Sequence, residues 1–126
     1  LKCGKIMNLG DVKEKTVPKM TIVSKPLQNG MINTRTFIPH RCHQSIGVFG
    51  AISVVTACLI KDTQANSMSI IPRGEKKLCS IEHPSGQMQV VAELRDEIIK
   101  STAILRTARK LFDGVVFPDG ETVKDI

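Results

Sequence analysis

Apolar positions along this chain fall into one long run and several short ones. Between Arg41 and Lys61 there is no Asp, Glu, Lys or Arg, and from Ile46 to Ile60 the sequence IGVFGAISVVTACLI is apolar or small almost throughout. That length suits a helix of about four turns, and a helix apolar on every face has to be buried on every face. It is too short and too rich in Gly, Ser and Thr for a membrane span, which needs about 20 apolar residues. Gly47, Gly50 and Ala51 occupy neighbouring helical positions, where other backbone can approach closely.

The shorter runs predict strands. MTIVS (20–24) and INTRTFI (32–38) are joined by KPLQNG, in which Pro26 and Asn29-Gly30 are turn residues. Beyond the helix, MSII (68–71), KLCSIE (77–82), QMQVVAELR (87–95) and KSTAILRTARKLF (100–112) follow, and GVVFPDG adds a last short strand. In the third of these, Met88, Val90, Ala92 and Leu94 alternate with Gln87, Gln89, Val91 and Glu93, a half-buried period of two. The polar stretch LGDVKEKTVPK (9–19) reads as a connector or a fraying helix end. One buried helix and about six strands predict a single α+β domain over 1–126, with 1–19 as its connector. Its fold is a curved, mostly antiparallel sheet wrapped around a central helix at about residues 44–60.

Composition narrows the function. Of 126 residues 41% are hydrophobic and 24% charged, which suits an ordinary domain with one core. The four aromatic residues are all Phe, too few for a base-stacking surface. Net charge is +6, and residues 1–26 hold six lysines against Asp11 and Glu14. Lysines scattered without arginine or aromatic partners form a solvated face, so neither nucleic acid nor membrane is an expected partner. Cys3, Cys42, Cys58 and Cys79 form no CxxC pair, and with three histidines they make no zinc pattern. Reduced thiols, a cytoplasmic location and no metal or other cofactor are the expectations.

Three stretches carry candidate chemistry. IPHRCHQS places His40, Arg41, Cys42, His43, Gln44 and Ser45 at the entry to the long helix, whose amino end already carries partial positive charge. Cations there are misplaced unless an anion binds. A thiol between Arg41 and a helix amino end is favoured as thiolate, which makes Cys42 the candidate acid or base. HPSG (83–86), with Pro second and Gly fourth, is a tight turn between strands, and the turn alone does not require His83 or Ser85. RTARK (106–110), read as strand, splits its basic side chains between two faces.

Taken in order, VPKMTIVSKP, HRCHQSIGVFGAISVVTACLI, IEHPSGQMQV and AILRTARKLFDGVVFP resemble the carboxy-terminal part of the PrpF family, which includes methylaconitate and methylitaconate isomerases and oxalomesaconate tautomerase. The resemblance implies the fold of diaminopimelate epimerase: two lobes, each a sheet around a helix, with a cofactor-independent proton-transfer site between them. It also implies an isomerase that shifts a double bond in a small di- or tricarboxylate. The usual acid/base pair belongs to the amino-terminal lobe, which this chain does not duplicate, so inactivity of the chain alone is expected. His43 matches the family's histidine near the helix start, and His83, Ser85 and Gly86 would lie by the cleft and contact a substrate carboxylate. The expected partners are that carboxylate and either the other lobe or a second copy. A non-enzymatic, self-associating module is the alternative, and it calls for an exposed apolar patch.

Overall fold

The computed structural model describes residues 1–117. After a one-turn helix α1 (Lys2–Ile6), strands β1 (Met20–Ser24) and β2 (Ile32–Phe37) form an antiparallel pair. Helices α2 (Val48–Leu59) and α3 (Gln64–Met68) follow, and then β3 (Lys76–His83), β4 (Gly86–Arg95) and β5 (Ile98–Ile104) form a meander. One sheet in the order β1-β2-β3-β4-β5 holds all five strands, antiparallel except between β2 and β3. A parallel join needs a crossover, and α2 with α3 supplies it. This is the expected α+β fold. No helix among the described residues is long and apolar enough to cross a membrane.

The core lies between α2 and the sheet. Ala51, Val54, Val55 and Cys58 of α2 pack with Met31, Ile32, Ile46, Cys79, Ile81, Val90 and Ala92. The alternation along β4 is realised: Val90 and Ala92 are fully buried, with Met88 and Leu94 packed against them.

Several expectations are corrected by the structure. The long helix begins at Val48 rather than near residue 44, with Gly47 as N-cap in extended conformation and no side-chain cap. Nor is it buried all round: Phe49 is 85% exposed and Val48 39%. Residues 68–71 form no strand: Met68 ends α3 and 69–71 are irregular, and α3 itself is capped by Thr63, which accepts the Asn66 N–H at 3.0 Å. From there Thr63 Oγ1 donates to the Ala57 carbonyl and Asn66 Nδ2 to that of Cys58, so α3 satisfies carbonyls that the end of α2 leaves open. The last strand stops at Ile104, and residues 105–117 leave the sheet as exposed chain. Of the final strand expected in GVVFPDG, residues 114–117 are irregular and 118–120 lie outside the described residues.

The glycines expected to permit close approach do not serve that end. A Cβ on Gly47 would meet nothing within 4 Å, and one on Gly50 only Ile46 at ordinary contact distance. Close approach occurs elsewhere: a Cβ on Gly4 would collide with Val12 Cγ2, and one on Gly30 would lie 2.6 Å from Glu82 Cγ.

Candidate functional site

The HPSG turn closes the β3–β4 hairpin, with His83 paired to Gly86. Gly86 has φ 146, a conformation that side chains rarely adopt. This turn docks on the loop before α2. Ser85 N–H donates to the Gln44 carbonyl at 3.0 Å, and Ser85 Oγ donates to the same oxygen at 2.7 Å. The His83 ring lies between two hydroxyls, with Nδ1 3.3 Å from Ser85 Oγ and Nε2 3.4 Å from Ser45 Oγ. The loop is itself fixed: His43 N–H donates to Thr36 O at 2.7 Å, and Ser45 N–H donates to His43 Nδ1 at 2.9 Å.

A third element completes the cluster. The ladder of β4 with β5 ends at Val90 and Ile104, Leu105 N–H then donates to Gln89 O at 3.0 Å, and the chain turns away. The departure places Arg106 and Thr107 in the wall of a cavity of about 420 Å³ that Ser45, His83, Gln87 and Gln89 also line. The volume is within the range of small-molecule pockets, roughly 300–1,000 Å³. Arg106 is the only permanently charged group in that lining. Gln87 is committed elsewhere, donating to Gln28 O and accepting from Ser80 Oγ, whereas Gln89 has no side-chain hydrogen bond among the described residues.

Of the residues singled out in the sequence, the fold brings together Gln44, Ser45, His83, Ser85 and Gly86, with His43 in support. His40, Arg41 and Cys42 do not line this cavity. Cys42 is exposed, pairs with Phe37 in an isolated bridge, and its thiol contacts the His43 carbonyl at 3.7 Å. It stands six positions ahead of Val48, beyond the reach of the helix end, whose field falls off within about one turn. His40 reaches the other way, with Nε2 3.0 Å from Lys13 O. Arg106 and Thr107 belong to RTARK, and a strand over that stretch would keep them on the sheet, whereas the chain leaves the sheet after Ile104. Among the described residues no group of three or more His, Cys, Asp or Glu is placed to hold a metal.

The profile of a family described as "PrpF protein" matches residues 1–119. The chain belongs to the PrpF family. It is 54% identical over 118 residues to a (4E)-oxalomesaconate Delta-isomerase of Novosphingobium sp. (strain KA1), covering 93% of this chain and 33% of that protein. To a 4-oxalomesaconate tautomerase of Pseudomonas putida KT2440 it is 52% identical over 116 residues, covering 92% of this chain and 32% of that protein. A crystal structure of methylitaconate-delta-isomerase superposes with a TM-score of 0.71 at 20% identity, over 90% of this chain and 34% of the other. That likeness shows the fold. The chain thus spans about a third of the length of the curated relatives it matches.

In this PrpF chain the turn that carries His83 is anchored from behind by Glu82. Its carboxylate is buried and accepts the backbone N–H groups of Leu27, Gln28 and Gly30 at 2.7, 2.6 and 2.8 Å. Burial alone would raise its pKa, but the three donors outweigh that and hold it below the ordinary glutamate value. The anion therefore sits on the β1–β2 loop, away from the cavity that Arg106 faces.

Proposed function

We propose that this chain supplies the carboxylate-binding part of a PrpF-type isomerase, which moves a double bond in a small di- or tricarboxylate by proton transfer, without a cofactor. The observation that carries this reading is the single cavity into which three separate elements send Ser45, His83 and Arg106. A guanidinium gives a carboxylate two parallel N–H donors, and Ser45, Thr107 and Gln89 add neutral donors around it. Such groups also stabilise the dienolate-like anion that forms when a proton leaves carbon beside a conjugated carboxylate. The two curated relatives, each named for an oxalomesaconate reaction, agree with this substrate class.

The test is an amide NMR titration of the chain with trans-aconitate. Saturating shifts at Gln44, Ser45, His83 to Gly86, Arg106 and Thr107 are expected. No shift there, or a diffuse response along the lysines of residues 1–26, refutes the reading.

A second surface favours a partner as well. Thr21, Val23, Thr36 and Ile38 of the β1–β2 side face Val48, Phe49 and Ser53 of α2 across a groove of about 840 Å³. Its occupant in this proposal is the remainder of a family-length chain, since two-thirds of each curated relative lies outside the matched part.

A further inference from the structure

We propose that Gln89 is the specificity-determining residue of this cavity: its side-chain amide binds a neutral oxygen next to the carboxylate that Arg106 holds, so that the site prefers a 2-oxo acid to the same acid without the oxo group. The inference rests on the carboxylate reading of the same cavity and adds to it the ligand atom by which one acid is told from another.

The backbone brings the two side chains together. Val90 pairs with Ile104 at the end of the ladder, and Leu105 N–H donates to Gln89 O at 3.0 Å, so Arg106 stands one residue past the position opposite Gln89. Both side chains line the cavity. The other polar groups of the lining are less available for this task. Gln87 is fixed by Gln28 O at 2.8 Å and Ser80 Oγ at 2.5 Å, and Ser45 Oγ lies 3.4 Å from His83 Nε2. Thr107 is exposed, where water serves its hydroxyl. Gln89 is half-buried, and among the described residues its amide makes no hydrogen bond.

Charge and hydrogen-bonding capacity then select the ligand atom. Arg106 is the only permanent charge in the lining, and it matches one carboxylate. A second carboxylate against Gln89 would have no cation beside it, whereas a neutral oxygen needs none. A primary amide offers both a donor and an acceptor. Its NH₂ donates to an oxo oxygen, and with the amide reversed its carbonyl accepts from the hydroxyl of the corresponding enol. One side chain thus serves both forms of a 2-oxo acid, which a lysine or arginine, having donors only, does not. An acid lacking that oxygen leaves the amide unpaired at the covered site, and a polar group left unpaired is what rejects such an analogue.

The test compares 2-oxoglutarate with glutarate, which differ only at the oxo group, in amide NMR titrations of the chain. Wild type should bind 2-oxoglutarate about threefold to tenfold more tightly, the worth of one net hydrogen bond. Gln89→Met, which keeps the length of the side chain without the amide, should bind the two acids alike and leave the glutarate affinity unchanged. Arg106→Gln should weaken both together. Unmoved amides of β3 and β5 would show that each variant folds, and the wild-type comparison stands without any variant. Equal binding of the two acids by wild type, a preference that survives Gln89→Met, or binding of trans-aconitate but of neither acid overturns the Gln89 assignment and leaves the carboxylate reading standing. Failure of all three acids to bind overturns both.

Discussion

Replacing Glu82 by Gln removes the charge while keeping the shape of the side chain, and the structure allows its cost to be worked out. Oε1 accepts from Gln28 and Gly30, and Oε2 accepts from Leu27. A glutamine can present its oxygen to the first two donors, but its NH₂ then meets the Leu27 N–H, donor against donor. Leaving that N–H unpaired costs about 1–3 kcal/mol, at the low end here because Leu27 is largely exposed. The other two bonds lose their charge assistance, about 1 kcal/mol between them after allowing for relaxation. Together the substitution should cost about 2–3 kcal/mol, a large share of the roughly 5–15 kcal/mol typical of a domain. The chain has no Trp or Tyr, so urea unfolding is followed by far-UV circular dichroism. The pH dependence supplies a second reading. Because the folded pKa lies below the ordinary glutamate value, the stabilisation is present above the unfolded pKa of about 4.5 and fades as pH falls through the folded one. Wild type should therefore lose stability below that pH more steeply than Glu82→Gln does. A cost under about 0.5 kcal/mol at pH 7 with superimposable pH curves would refute the claim that this carboxylate anchors the β1–β2 loop.

Cysteine reactivity should separate Cys42 from Cys58 and Cys79. Burial pushes Cys58 and Cys79 up to about 11, so at pH 8 iodoacetamide should modify exposed Cys42 and leave both of them intact until urea is added, as peptide mass spectrometry would show. Phe49→Glu should leave unfolding free energy within about 0.5 kcal/mol of wild type, since Phe49 is 85% exposed. The same change should abolish capture of this chain by the remaining two-thirds of the Novosphingobium relative in analytical ultracentrifugation, and retained capture would place the partner elsewhere.

What the sequence made legible was local. The period of two in β4 and the Pro/Gly turn of HPSG each lie within a dozen residues, and both are as read. The start of α2 misled because Ile46 is apolar and fully buried without being helical, and because Gly47 caps the helix with backbone alone. The strand expected at 100–112 was placed late because Asp96 and Glu97, not glycine or asparagine, make the turn before β5, with φ of 52° and 62°. Asp tolerates the left-handed region, but a Glu beside it in the same conformation is uncommon. That error propagated to the site. With β5 expected to start two residues late and to end eight residues late, Arg106 belongs to a ladder, whereas in the fold it is the second residue past the last pair. Ser45 and His83 were both singled out, yet their meeting depends on Ser85 docking onto Gln44, a contact across 41 positions that no local pattern encodes.

The cavity and the apolar groove are not independent. His43 lines the groove, and its Nδ1 accepts the N–H of Ser45, which lines the cavity. Gln44, between them, receives both donors of Ser85. Three consecutive residues thus join the groove, proposed above as a partner surface, to the side chain that faces His83 Nε2. Covering the groove would restrict His43, and through it the Ser45 backbone, before any carboxylate arrives. A proton-transfer site depends on such prior restraint, since displacement of a reacting group by about 1 Å can cost a hundredfold in rate. On this argument the partner surface contributes to the site even where it adds no side chain to it, because it fixes the loop on which the distance between Ser45 and His83 depends.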